Sequence, residues 1–345
     1  MYTTFETIII PAVVAFSATV IGTKFLIQYL YGAGIIAEDR NKEKAVKLAG
    51  SGGLAVTFGI ILGILTYTFG GTFVFKPVLS ISDILAVALS IILISMVGFL
   101  DDINVKGRRV KSTDMMDIRQ GLKQWQKPLL TLIGALPLMA INAGVGSVRV
   151  PILGIVDLGL IYPLVVLPVA VVFVSNAVNL LGGFDGIQPG MVLVASLGLL
   201  IYSITNGTYL AALLSAFLFA SVLAFLPFNL YKARIIPGDS FTYAVGATLV
   251  AIMVMGNEEA FGIIVFMPWI IEFFLHLRRK FRVTDLGIRR RDGAFSAPYG
   301  KKIYSLTHLL MNMKKMKEKE MVVYISAIEA FFVILAFLLK FIGVL

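Results

Sequence analysis

The stretch Asn176-Ala-Val-Asn179-Leu-Leu-Gly182-Gly183-Phe184-Asp185-Gly186 lies between two long apolar runs. Asparagines three apart share one face of a helix, and a carboxylate follows on a glycine-rich turn. Polar groups at the edge of a hydrocarbon layer are costly and usually have a task. Three other polar clusters fall at comparable places: Asp101-Asp102, Pro237-Gly238-Asp239-Ser240, and a basic segment from Arg278 to Lys302.

The composition explains why an edge of hydrocarbon is the right frame. The chain has 345 residues, 58% hydrophobic and 14% charged. A soluble protein carries about 25% charged residues, so this chain cannot bury its apolar side chains in one aqueous core. It reads as an all-α polytopic integral membrane protein. No stretch between the apolar runs is long enough for a separate soluble domain of ~50 residues, so residues 1–345 form a single transmembrane domain. The first apolar run is too long for a cleavable leader and has no basic segment before it. With no cysteine, disulfides and thiolate metal sites are excluded, and two histidines, His276 and His308, make zinc a poor fit. A net charge of +10 fits anionic lipid and one basic membrane face rather than nucleic acid.

A spanning helix needs ~20 mostly apolar residues. Ten candidates lie near 5–30, 49–70, 82–100, 128–143, 160–178, 190–205, 209–228, 241–256, 259–277 and 321–344. Only Lys24, Lys76, Arg149 and Lys340 fall outside the odd-numbered loops, which therefore hold 26 of the 30 basic residues. Lysine and arginine favour the cytoplasmic side, so odd loops are expected inside and both termini outside. All four polar clusters sit at odd loops and should meet at one face.

Each cluster has a plain reading beside a chemical one. Asp101 and Asp102 end a helix, where partial negative charge already gathers. They are either a solvated helix end, a base, or a site facing Mg²⁺ or a lysine, with Lys127 placed to reach back. Asn176 and Asn179 are polar glue between helices or, with Asp185, oxygen ligands of a hard cation. Asp239 is a helix cap whose free oxygen could also serve a metal. The basic loop is a lipid-contacting face or a clamp on diphosphate oxygens. Both histidines read as structural. Asn206-Gly-Thr208 reads as a turn. Gly50-Ser-Gly52-Gly-Leu-Ala55 follows no strand, so it marks close packing rather than a dinucleotide fold. Together, carboxylates, carboxamides and many cations at one membrane face suit phosphoryl transfer between anionic partners, where positioning and charge neutralisation dominate.

At this point the sequence resembles the polyprenyl-phosphate N-acetylhexosamine-1-phosphate transferases. The carrying segments are Gly98-Phe-Leu-Asp-Asp102, Asn176-Ala-Val-Asn179 with Gly183-Phe-Asp-Gly186, and Ile236-Pro-Gly-Asp239-Ser-Phe. The resemblance covers nearly the whole chain. It implies about ten spans, cytoplasmic active-site loops in a multi-pass cell-membrane protein, and Mg²⁺ (with Mn²⁺ as a substitute) on Asn179 and Asp239. It implies catalytic roles for Asp101, Asp102 and Lys127, and substrate contacts from Asn176, Asp185, Gly238, Lys42, Lys280 and Arg282. Lys280-Phe281-Arg282 resembles an Arg-His-Arg run of the eukaryotic branch, with Phe281 in the histidine's place. The bacterial muramoyl-peptide branch carries an aspartate where this chain has Gly182, and a histidine-rich motif not found here. The archaeal and eukaryotic branch is therefore the nearer likeness.

The resemblance thus implies transfer of sugar-1-phosphate from a UDP-N-acetylhexosamine, UDP-GlcNAc above all, to a polyprenyl or dolichyl phosphate in the membrane, with UMP released. A homodimer is compatible with it. The competing reading is a transporter of an anionic solute or lipid-linked sugar, which would place ionisable residues at mid-membrane. Lys24 and Glu272 are the main ones found within the expected spans.

Overall fold

The computed structural model describes residues 4–39, 41–42, 46–103, 122–123, 125–150 and 154–345. The basic residues Arg40, Lys44, Lys106, Arg108, Arg109, Lys111 and Arg119, counted above for orientation, lie outside the described residues. In order the elements are α1 (Thr4–Gly32), β1 (Ile36–Asp39), β2 (Val46–Ala49), α2 (Gly53–Phe73), α3 (Ile81–Ile103), α4 (Gln126–Thr131) and α5 (Leu136–Ala140). There follow β3 (Ser147–Val150), β4 (Gly154–Asp157), α6 (Leu167–Val178), α7 (Ile187–Asn206), α8 (Tyr209–Asn229), α9 (Gly238–Gly256), α10 (Glu259–Val265) and α11 (Met267–Leu277). The chain ends with β5 (Ile288–Arg289), β6 (Phe295–Ser296), α12 (Leu306–Met313) and α13 (Glu318–Phe341). The three strand pairs are short antiparallel hairpins.

The protein is a mostly helical polytopic membrane protein. Among the described residues, seven helices are long and apolar enough to cross a membrane, and α10 with α11 makes an eighth crossing if that pair, bent by 60°, is one span. The two remaining expected spans are less regular. Residues 126–140 break into α4, a 3₁₀ turn at Leu132–Ala135 and α5, and residues 162–178 open with a π-helical turn before α6. Pro137 closely follows the 3₁₀ turn and Pro168 the π turn; each lacks a backbone donor and crowds the turn before it.

Helix α9 is the hub: 16 of its 19 residues are buried. Without a hydrophobic drive between helices in lipid, close contact depends on small residues. A Cβ added to Gly53 of α2 would stand 1.9 Å from the Phe241 backbone N, and one on Gly98 of α3 would stand 2.3 Å from the Asp239 backbone O. These contacts press the start of α2 and the end of α3 onto the first turn of α9. Backbone pairing adds to this: Ile236 N donates to Ala49 O and Gly53 N to Pro237 O. The Gly50–Ala55 stretch is thus a packing device, and it carries Ser51 to the C-terminus of α3.

Candidate active site

The segments that follow α1, α6, α8 and α11 meet at one end of the helices and enclose a cleft of about 500 Å³. Its wall includes Asn179, Gly183, Asp185, Gly238, Asp239 and Asp285.

The aspartate pair divides its contacts. Asp102 turns toward the start of α9, where its Oδ1 accepts from Asp239 N at 2.7 Å. Its Oδ2 accepts from Ser240 N at 3.2 Å and from Ser51 Oγ at 2.7 Å. A helix N-terminus leaves backbone donors unpaired, and Asp102 supplies the acceptor from another helix. Gly238 makes room: its φ is +75°, and an added Cβ would lie 2.5 Å from the Asp102 carboxylate. Asp101 faces the other way. Its Oδ2 lies 2.5 Å from Lys127 Nζ, and its Oδ1 accepts from Leu122 N at 2.6 Å. Lys127 also reaches Asp239 Oδ2 at 2.9 Å. Three aspartates thus gather around one ammonium at the cleft floor. The buried hydroxyl of Tyr243, on α9 after Asp239, has no hydrogen-bond partner among the described residues.

The residues present fit a magnesium ion. Asn179 caps the C-terminus of α6, and among the described residues its side chain has no hydrogen-bond partner. Asp239 accepts from Lys127 at one oxygen and lines the cleft. Both line the cleft and both offer hard oxygen donors. A second cluster, Asp39, Asp185 and Glu318, also has metal-like spacing. It is already filled: Lys42 Nζ stands 3.0, 2.7 and 2.7 Å from those three carboxylates.

That cage revises the expectation for Lys42. Its charge is directed at Asp185 and its neighbours rather than into the cleft; burial lowers its pKa, but the Asp185 and Glu318 carboxylates outweigh that and hold it above the ordinary lysine value. Burial raises the Asp185 carboxyl, though Lys42 and the Ala233 N–H counter the shift. Asn176 also lies elsewhere. Its amide donates to Thr131 Oγ1 at 3.2 Å and to Val172 O at 2.8 Å, tying α6 to α4. It lines an apolar groove of about 420 Å³ on the side of the bundle, with Pro128, Leu132, Val169 and Phe273. Lys280 and Arg282 are exposed and stand outside the cleft wall. Gly238, Asp239, Asn179 and Asp185 are brought together there, with Asp101 and Lys127 linked to them through Asp239.

The sequence reading missed Asn41, Glu318 and Asp285. Asp285 shares the Arg278–Lys302 segment with a single other acid, Asp292, and that contrast was the available signal. Neither histidine lines the cleft: His276 Nε2 lies 2.9 Å from Glu272 Oε1, while buried His308 accepts from Tyr304 N at 3.3 Å. Glu272 is thereby paired near the site, whereas Glu329, fully buried in α13, has no partner among the described residues.

Fold and site together define a polytopic membrane protein with a carboxylate-lined cleft at one end of its helices. Residues 84–257 match glycosyl transferase family 4. Across 335 residues the chain is 30% identical to a Saccharolobus solfataricus protein, covering 96% of this chain and 97% of the other. That protein's provisional name is UDP-N-acetylglucosamine–dolichyl-phosphate N-acetylglucosaminephosphotransferase. The Dictyostelium discoideum protein named for that activity is 23% identical over 85% of this chain and 78% of its own. A Halalkalibacterium halodurans phospho-N-acetylmuramoyl-pentapeptide-transferase is 30% identical over 77% of this chain and 80% of its own. The chain belongs to glycosyl transferase family 4.

Proposed function

We propose that the protein transfers N-acetylglucosamine-1-phosphate from UDP-N-acetylglucosamine to a polyprenyl or dolichyl phosphate, giving a lipid-diphospho-sugar and UMP. The names of the archaeal and Dictyostelium relatives support the donor and the acceptor. One geometric observation carries the reading: Lys127 faces the cleft carboxylates, and Pro128, the next residue, begins the apolar side groove. A charged cleft and a lipid-facing groove joined at one helix suit a soluble nucleotide sugar meeting a phosphate on an isoprenoid tail.

In this reading an oxygen of the lipid phosphate attacks the β-phosphorus of the donor. The bond from that phosphorus to the bridging oxygen breaks, and the electron pair leaves with UMP. Asp101 accepts the proton of a monoanionic lipid phosphate or orients its oxygen. Lys127 holds Asp101 and Asp239 in place and offers positive charge to the phosphates. Asn179 and Asp239 would hold Mg²⁺, which when bound supplies charge neutralisation at the diphosphate. Asp185, steadied by Lys42, forms the nucleotide end of the cleft. Direct attack is preferred to an aspartyl intermediate, because a phosphate acceptor already carries its nucleophile.

We further propose ten spans with both termini outside, the short irregular segments 126–140 and 162–178 counting as two. The basic residues of the odd loops support a cytoplasmic cleft in the cell membrane. The near full-length match to the Saccharolobus protein supports one catalytic domain over residues 1–345. A homodimer remains compatible with this arrangement.

The test is transfer of label from UDP-[³H]GlcNAc into solvent-extractable lipid by the purified protein with added polyprenyl phosphate. Label in a lipid released by mild acid supports the reading. Flux of solute across sealed vesicles with no labelled lipid would favour a transporter.

A further inference from the structure

We propose that Asp285 is a positioning residue that latches the last polar loop onto the Gly182-Gly183 turn and thereby sets the shape of the nucleotide-sugar pocket. This inference rests on the transferase reading and adds a residue to it.

The contacts form a closed ring. Asp285 Oδ2 accepts from Gly182 N at 2.8 Å. The next carbonyl, Gly183 O, accepts from Asn41 Nδ2. Asn41 O in turn accepts from Arg289 Nη1 at 2.7 Å. Arg289 stands on the same loop as Asp285, so three separated segments close on one another. The loop is fixed from behind as well, because Thr307 Oγ1 of α12 donates to Asp285 O at 2.7 Å.

The ring lies at the cleft. Asn41, Gly182, Gly183 and Asp285 all line it, together with Leu286 and Gly287 of the same loop. The carboxylate lies directly on the turn: a Cβ added to Gly183 would meet Asp285 oxygens at 2.8 and 3.0 Å. A bare glycine backbone is what lets the loop approach. Burial raises the Asp285 carboxyl above its ordinary range, in keeping with a group enclosed by the ring.

The chemistry of the latch is acceptance of one backbone N–H. Asparagine keeps an acceptor oxygen at the same place, and alanine has none. Leaving that N–H without a partner should open the ring about tenfold more often.

The experiment uses the full chain in detergent. Hydrogen exchange followed by mass spectrometry is compared for wild type, Asp285→Ala and Asp285→Asn. UDP affinity is measured by calorimetry, and KM and kcat are measured for UDP-GlcNAc. In Asp285→Ala, exchange at residues 182–186 and 283–298 should rise about tenfold. UDP affinity should fall and KM rise by about the same factor, with kcat within about twofold of wild type. Asp285→Asn should stay near wild type in every readout. Unchanged exchange in Asp285→Ala would overturn the latch. Faster exchange with unchanged UDP affinity would overturn its role in the donor pocket. Equal damage from asparagine and alanine would overturn it in favour of a direct charge contact. Wild-type protein that binds no UDP would sink the transferase reading instead, while the exchange comparison would still decide the latch.

Discussion

Lys127 Nζ lies 2.5 Å from Asp101 Oδ2, whereas the adjacent Asp102 is turned away to close the N-terminus of α9. The neighbours therefore carry different duties. Asp101→Asn should lower UMP release at least about 100-fold, the scale of a lost acid–base group, with the unfolding midpoint little changed. Asp102→Ala strands the Asp239 and Ser240 N–H groups and the Ser51 hydroxyl, and should cost about 1–3 kcal/mol of stability. Midpoints in detergent, measured beside activity, separate the two effects.

Asn179 and Asp239 are the proposed magnesium ligands. Asn179→Ala should raise the Mg²⁺ concentration for half-maximal activity by about tenfold or more, and saturating metal should restore part of the rate. Asp239→Asn should remain inactive at any metal concentration. EDTA should silence the wild type reversibly. An Asn179→Ala protein with an unshifted metal titration would remove that residue from the metal site.

Val169 is exposed on the wall of the apolar side groove, away from the polar cleft. Val169→Trp fills that groove. It should raise KM for a long polyprenyl phosphate by about tenfold and leave KM for UDP-GlcNAc unchanged. A shift in the donor KM instead would place the lipid elsewhere.

His308 is buried, and its pKa is pushed down to about 4 from 6.5 by that burial. Between those values the unfolded chain binds a proton that the folded chain does not. This contribution is therefore full above pH 6.5 and is lost as pH falls toward 4, up to about 3 kcal/mol in all. His308→Asn keeps an acceptor for Tyr304 N and should flatten the midpoint-against-pH curve across this window. A curve with the wild-type slope would show that other groups set the acid limit.

Much of the architecture was readable because the hydrocarbon layer is a strict solvent. Apolar runs located the helices, and the asymmetry of lysine and arginine grouped the loops that hold Asp101, Asn179, Asp185 and Asp239. Contacts made only by folding were not readable. The pairing of Asp102 with the start of α9 depends on the close approach at Gly98. The cage around Lys42 needs Glu318, far along the chain, so nothing in the sequence set it against the substrate contact that the resemblance implies for Lys42. Asp285 was hidden because a basic loop reads as one charge pattern, and its partner is a backbone N–H. Glu329 sits alone in an apolar run, where hydropathy averages it away.

The most direct measurement is UMP release by the purified protein supplied with UDP-GlcNAc, a polyprenyl phosphate and Mg²⁺. Parallel reactions would lack lipid, contain EDTA, or use Asp239→Asn. The account predicts release only when lipid and metal are both present, and none from the variant. Release independent of lipid, or full release from Asp239→Asn, would contradict it.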